Sequence, residues 1–191
     1  MLVRVIGPKG KREPLPEGAI LVNTTSHSRD WGKGFSPFLL GPCELYGGHI
    51  SETVENAWQF AKVYSQHIGP DGEPTDKYWQ WATAGWTSKR AERYPMGKGL
   101  KPEYSLWDGE KLGYVEARKR VYVPLYYKAV VGTKAYARLR ELYDSGTQIY
   151  LWDFDGYDHV KLGMSLVDVL NCPDRSMGHA FVLARMLEKG R

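Results

Sequence analysis

A helix-rich α+β fold with a few short strands is what this chain predicts, and three observations point to it. Short β-branched runs occur near the N-terminus and again near residue 150, several longer segments repeat apolar residues every three to four positions, and Gly, Pro and Asp clusters punctuate the intervals. The length of 191 residues, with 42% hydrophobic and 25% charged residues, suits a single domain over 1–191 whose core needs no staples. No repeat, low-complexity tract or linker divides it.

The runs 2–6 (LVRVI) and 19–24 (AILVNT) read as strands separated by GPKGKREPLPEG, whose Gly and Pro mark a turn. SHSRDWGKGFSPF (26–38) is a loop by its glycines, proline and charges. From Ser51, an N-cap residue type, Val54, Ala57, Trp58, Ala61 and Tyr64 form one apolar stripe, which predicts a helix running to Tyr64. HIGPDGEP (67–74) is a turn, and Thr75 or Asp76 caps a second helix carrying Tyr78, Trp79, Ala82 and Trp86. A third helix starts after Asp108, with Leu112, Val115, Lys119 and Tyr122 on one side, until Pro124 breaks or kinks it. A fourth runs through Tyr136, Leu139 and Leu142 to the stop at Asp144-Ser145-Gly146. QIYLWDF (148–154) is a strand and DGYDH a turn, and a closing helix over about 177–188 turns Phe181, Ala184 and Leu187 or Met186 inward.

Composition removes several function classes. Cys43 and Cys172 are too few for a disulfide framework, and no apolar run reaches the roughly 20 residues needed to span a bilayer. With no apolar stretch behind its N-terminal charges, the chain reads as soluble, unexported and cytoplasmic, with no membrane partner. A formal charge of +4 and a pI near 8.9 favour an anionic partner, yet the surplus is too small to name a nucleic-acid binder. The 13% aromatic content, with seven Trp and thirteen Tyr, hints at a ring-binding pocket.

Several segments carry residue types suited to chemistry. On the first helix, Glu55, Gln59, Lys62 and Gln66 make a second, polar stripe. Such a row can line a pocket, with Glu55 stabilising positive charge and Lys62 holding an anion, or it can simply face water, and on spacing alone the solvated face has the stronger claim. The 26–38 loop gathers His27, Arg29, Asp30 and Lys33 around Trp31, which suits either an anion-and-ring cradle or a solvated loop anchored by Trp31 and Phe35. SKRAERYPMGKGLK (88–101) is the densest basic patch, holding Lys89, Arg90, Arg93, Lys98 and Lys101, but it lacks the full phosphate-loop pattern. ARKRVY (117–122) reads as a solvated helix face. WDFDGYDH (152–159) concentrates Asp153, Asp155, Asp158 and His159; the spacing is not that of a calcium loop, and turn support competes with acid–base work. Zinc, α/β-hydrolase and dinucleotide motifs are absent.

Taken in order, these segments resemble the YbiA-like NADAR domains, N-glycosidases of ADP-ribose and riboflavin-pathway metabolism. SHSRDWGKGFSPF resembles that family's opening loop, and SETVENAWQFAKVY its signature helix, because Glu55, Gln59 and Lys62 keep the relative positions of its Glu, Gln and Lys. The basic segment at 88–98, a Trp107-led helix, the acidic strand end at 152–158 and GHAFVLARML after Met177 follow in family order, so the match covers about 26–187, with the strands of 1–25 before it. Asn56 stands where the family has His, the Ser and Glu before the helix are displaced, and D-x-x-W-G is missing from DFDGYDH. The chain is thus closer to a divergent branch found in phage and bacteria, which implies the cytoplasm of a bacterium or of a phage-infected host.

The resemblance implies hydrolysis of the C1′–N bond of a ribosylated or ADP-ribosylated base, without metal or redox cofactor. It implies that Glu55 stabilises the ribosyl cation-like state, with Lys62 at the sugar or phosphate and Asp155 or Asp158 activating water. Ser26, Arg29, Asp30, Trp31, Phe35, Gln59, Arg93, Lys98, Trp107 and Trp152 would form the substrate pocket, Trp31 or Trp107 stacking on the base. The expected partner is a phosphorylated ribosyl-base small molecule or an ADP-ribosylated nucleic acid. Two alternatives are a non-catalytic nucleotide- or ADP-ribose-binding module, favoured by Asn56 in place of His, and a protein acting on modified bases in phage DNA through Arg90, Arg93, Lys98 and Lys101.

Overall fold

The computed structural model describes residues 2–8 and 14–189. It is an α+β structure, rich in helices with short strands in small sheets, and it divides into two compact units, one of Met1–Ser36 with Tyr126–Arg191 and the other of Pro37–Leu125.

The first unit is built on three parallel strands. β1 (Val3–Ile6) and β2 (Ile20–Asn23) flank β8 (Ile149–Trp152), with Val5 and Val22 both in register with Leu151. The two N-terminal strands are those the sequence predicts, but they do not pair with each other; residues 9–13 of the turn expected between them lie outside the described residues. Central parallel strands are covered on both faces, and Ile149, Tyr150 and Leu151 are all buried. α5 (Lys134–Asp144), α6 (Leu166–Asn171) and α7 (His179–Lys189) complete this unit, α7 packing Phe181, Val182, Leu183 and Ala184 inward near β1 and β8. The expected loop at 26–38 contains a 3₁₀ turn, Trp31–Phe35. α6 was not expected; its Ser165 cap, which exchanges hydrogen bonds with Asp168, is the signal that marks it.

The second unit packs helices and small antiparallel sheets around Phe60, Val63, Tyr78, Ala82, Trp86 and Leu106. β3 (Cys43–Glu44) pairs with β4 (Ile50–Ser51). α1 covers only Val54–Gln59, so the helix expected from Ser51 to Tyr64 is corrected at both ends. Ser51 sits in β4, and Thr53 is the N-cap, its hydroxyl accepting from Asn56 N. At the other end, sheet pairing overrides helical propensity: β5 (Lys62–Val63) joins β6 (Tyr104–Trp107), and Ala61 O and Val63 O accept from Leu106 N and Glu103 N. α2 (Asp76–Thr87) follows the expected cap at Thr75. Gly85 lets α2 approach, since a Cβ there would lie 2.0 Å from the Phe60 ring. Much of the aromatic excess goes into this core, where Tyr46, Trp86, Trp107, Phe60, Trp81 and Tyr78 pack edge-on or tilted.

The third expected helix begins later than predicted. β6 and β7 (Glu110–Leu112) form a hairpin around Asp108-Gly109, whose φ values of 49° and 80° suit the two-residue turn that Asp-Gly favours. α3 (Tyr114–Ala117) then runs through a π-helical turn, Arg118–Tyr122, into α4 (Val123–Val130). Pro124 explains the turn. Its ring cannot accept a carbonyl four residues back and it has no N–H, and the chain answers by widening: Val123 N bonds Arg118 O, five residues back.

Candidate functional site

The residues expected to form a site divide between the two units, and each set has its own geometry. In the Pro37–Leu125 unit, α1 is buried on nearly every side. Glu55 and Gln59 are 6% and 7% exposed, so the solvated-face reading of the polar stripe is wrong for them. Gln59 Nε2 donates to Glu55 Oε1 at 2.8 Å, and its Oε1 accepts from Lys62 Nζ at 2.6 Å. The amide thus relays between a buried carboxylate and an ammonium. Lys62 reaches back from β5, half-buried, with Nζ 4.9 Å from the Trp58 ring centroid. Gln66, the last member of the expected stripe, is exposed in a 3₁₀ turn.

Asn56 has a structural task that its sequence position did not reveal. Fully buried, it donates through Nδ2 to Ser88 O and Arg90 O, each at 3.0 Å, and accepts from Glu92 N at 2.9 Å. All three bonds go to backbone, so Asn56 pins the start of the basic 88–101 segment onto the helix that carries Glu55. Lys89, Arg90, Lys98 and Lys101 are exposed, and Arg93 is half-buried beside the Tyr94 ring. Trp107 packs against Tyr46, centroids 5.0 Å apart. Arg118 contradicts the solvated reading of ARKRVY, being 2% exposed with its guanidinium 4.5 Å over the Tyr114 ring. It shares the buried face of this helical run with Ala117, Val121 and Tyr122.

In the unit holding β8, the expected cradle is largely self-satisfied. Asp30 caps the 3₁₀ turn, accepting from Gly32 N at 2.8 Å and Ser28 Oγ at 2.7 Å, and these bonds hold its carboxyl below the usual range. Gly32 is needed because a Cβ would lie 2.3 Å from Asn23 O. Trp31 meets Phe35 edge-on and carries the Arg138 guanidinium 4.8 Å from its ring centroid. Phe35 is wholly buried, and its carbonyl accepts from Tyr126 Oη at 2.7 Å, so it is a core residue rather than a substrate contact. Ser26 and Arg29 are exposed, while Trp152 and His27 both meet Phe154 at the end of β8.

The acidic strand end resolves into three distinct roles. Asp158 receives both of its contacts with Arg4 from one nitrogen, at 2.9 and 2.8 Å; burial pushes its carboxyl up, but Arg4 and the Lys161 amide outweigh this and hold it low. It is a structural anion, which removes it from the catalytic set. Asp153 is 3% exposed, with Oδ2 accepting from Ala180 N at 3.2 Å and lying 3.1 Å from His179 Nδ1. His179 Nε2 in turn donates to Thr24 O at 2.8 Å. Asp153 and His179 therefore tie together β8, α7 and the end of β2, and Gly178 is required there because a Cβ would sit 2.1 Å from Asp153 Oδ2. Asp155, half-buried, is the remaining acid of the two expected.

Cys43 and Cys172 are free, and burial pushes the Cys43 thiol up to about 11, where it is no nucleophile at neutral pH. Among the described residues no group of three His, Cys, Asp or Glu is arranged to hold a metal ion, and no helix is long and apolar enough to cross a membrane. No curated protein and no solved structure matches the chain. One family does, over residues 11–164, which take in α1, the π-turn and β8 but not α7. Since that match spans most of the sequence, the chain belongs to the family described as a family of unknown function, DUF6939.

Proposed function

We propose that this protein is an N-glycosidase that hydrolyses the C1′–N bond of a ribosylated or ADP-ribosylated base. The observation that carries the reading is the relay Glu55–Gln59–Lys62, a carboxylate, an amide and an ammonium linked at 2.8 and 2.6 Å, with Glu55 and Gln59 buried and Lys62 half-buried. Cleavage of a C1′–N bond builds positive charge on the sugar, and a carboxylate withdrawn from water stabilises that charge more than an exposed one does. Gln59 restrains the rotation of the carboxylate, and Lys62 adds a cation within reach of an anionic substrate. The electron balance is simple: the C1′–N pair leaves with the base, a water oxygen forms the new C1′–O bond, and a water proton ends on the base nitrogen. The anionic substrate class agrees with the exposed lysines and arginine of the 88–101 segment.

The test is a panel of ribosylated bases, including NAD, ADP-ribosyl-guanine DNA and phosphoribosyl-pyrimidines, incubated with the protein and read by mass spectrometry for free base. Release that Glu55→Gln abolishes supports the reading; a panel that stays intact while one member is retained through dialysis supports a binding module instead. Asn56 no longer argues for that module, because its side chain is fully engaged in holding the 88–92 backbone.

A further inference from the structure

We infer that Arg118 is the positioning residue for Glu55, the buried cation that keeps this carboxylate ionised and fixed in orientation; this rests on Glu55 being the reactive carboxylate. Among the described residues of the Pro37–Leu125 unit, Glu55 and Arg118 are the two Asp, Glu, Lys or Arg side chains that are buried, at 6% and 2% exposure. A carboxylate taken out of water needs a compensating charge, and a buried guanidinium needs one equally.

The packing brings the two rows together. α1 contacts the π-turn, and the rings of Trp58 and Tyr122 lie 5.2 Å apart. Glu55 stands three residues before Trp58 on α1, and Arg118 four residues before Tyr122 on the π-turn, so each charge lies one turn away from the ring on its own element. Each charge thus lies within one turn of the ring contact that joins the two elements, and both are buried there. The guanidinium already rests 4.5 Å from the Tyr114 ring centroid, and this stacking fixes the plane of its donor fork in a way that a lysine does not reproduce. Arg118 lies on the buried stripe of this helical run with Ala117, Val121, Tyr122, Leu125 and Tyr126. Gln59 and Lys62 then hold Glu55 from one side while Arg118 holds it from the other.

The experiment is a double-mutant cycle on the full chain, Glu55→Gln, Arg118→Gln and the pair, with unfolding followed in urea, joined to a carbon-13 carboxyl titration of Glu55 in the parent and in Arg118→Lys. Pairing predicts that Arg118→Gln lowers the folded-to-unfolded ratio at least tenfold more in the parent than in the Glu55→Gln background. It also predicts that the Glu55 signal titrates at higher pH in Arg118→Lys, whose ammonium fills neither the stack nor the fork. An additive cycle with an unmoved Glu55 titration overturns the inference, and if Arg118→Gln does not fold, the titration in Arg118→Lys decides alone. Neither readout uses a substrate, so the pairing stands or falls separately from the glycosidase reading. If base release is found, Arg118→Lys should lower kcat with KM retained.

Discussion

In the proposed hydrolysis Glu55 is the reactive carboxylate, and the role proposed for it follows from its burial beside Gln59. Replacing it with Gln keeps the shape and the hydrogen bond to Gln59 but removes the charge, so base release should fall about 100- to 1000-fold, the usual effect of losing one preorganised electrostatic contact. Mass spectrometry of the same panel checks this. Gly178 makes a purely structural prediction at the same scale. Its missing Cβ is what lets Asp153 Oδ2 reach the start of α7. Gly178→Ala should destabilise the fold by about 1–3 kcal/mol, read from the urea midpoint, because the buried Asp153 carboxylate must move off its contacts with Ala180 N and His179 Nδ1. An unchanged midpoint would mean that Asp153 is not held as described. Helical spacing lines up Glu55, Gln59 and Lys62 but favours a solvated face, and only the family resemblance singles the row out; Lys62 reaches Gln59 from β5 rather than from the helix. Arg118 and His179 were not legible, because a basic run and a histidine in an apolar segment look the same in sequence whether they are buried or not.

At the scale of elements, Asn56 joins α1 to the basic segment. Removing its side chain in Asn56→Ala takes a hydrogen bond each from Ser88 O, Arg90 O and Glu92 N, with Arg90 O keeping Ser88 Oγ, at a cost of about 1–3 kcal/mol. The same change should free residues 88–101, and limited trypsin digestion of the native protein should then cut first at Lys89, Arg90 or Arg93. Cutting elsewhere first would contradict the clamp. Helices with strong apolar periods, α2, α5 and α7, were legible to within a few residues, and so were β1, β2 and β8. The failures share a cause. α1 stops early because β6 captures the carbonyls of Ala61 and Val63, a long-range pairing that local period cannot announce. The β6–β7 hairpin, by contrast, carried a readable Asp-Gly signal.

For the molecule as a whole, acid should loosen the fold in two stages of the same sign. His159 is fully buried against Phe181, neither ring nitrogen has a hydrogen-bond partner among the described residues, and burial holds it below the ordinary histidine value; burial does the same for His67. The unfolded chain takes up these protons near pH 6.5 and the folded chain only at lower pH, so stability is full above about 6.5 and is lost as pH falls through the folded values. Asp158 adds a later stage. Its folded value is depressed, so its contribution is full above about 3.9 and is lost as pH falls below that. The urea midpoint should therefore be lower at about pH 5 than at about pH 7.5, and His159→Leu should shallow that decline without cost at neutral pH, since the ring makes no hydrogen bond to lose. A midpoint flat across this range would contradict the burial of both rings. The α+β class was readable from composition and periodicity, whereas the place of β8 between β1 and β2 was not, because parallel order depends on contacts far apart in sequence.

The most direct test of the central claim is hydrolysis of the substrate panel in oxygen-18 water, with parent and Glu55→Gln compared by mass spectrometry. Hydrolysis at C1′ predicts free base and a sugar product carrying one heavy oxygen from the parent, and neither from Glu55→Gln; equal release by both proteins, or an unlabelled sugar, would contradict it.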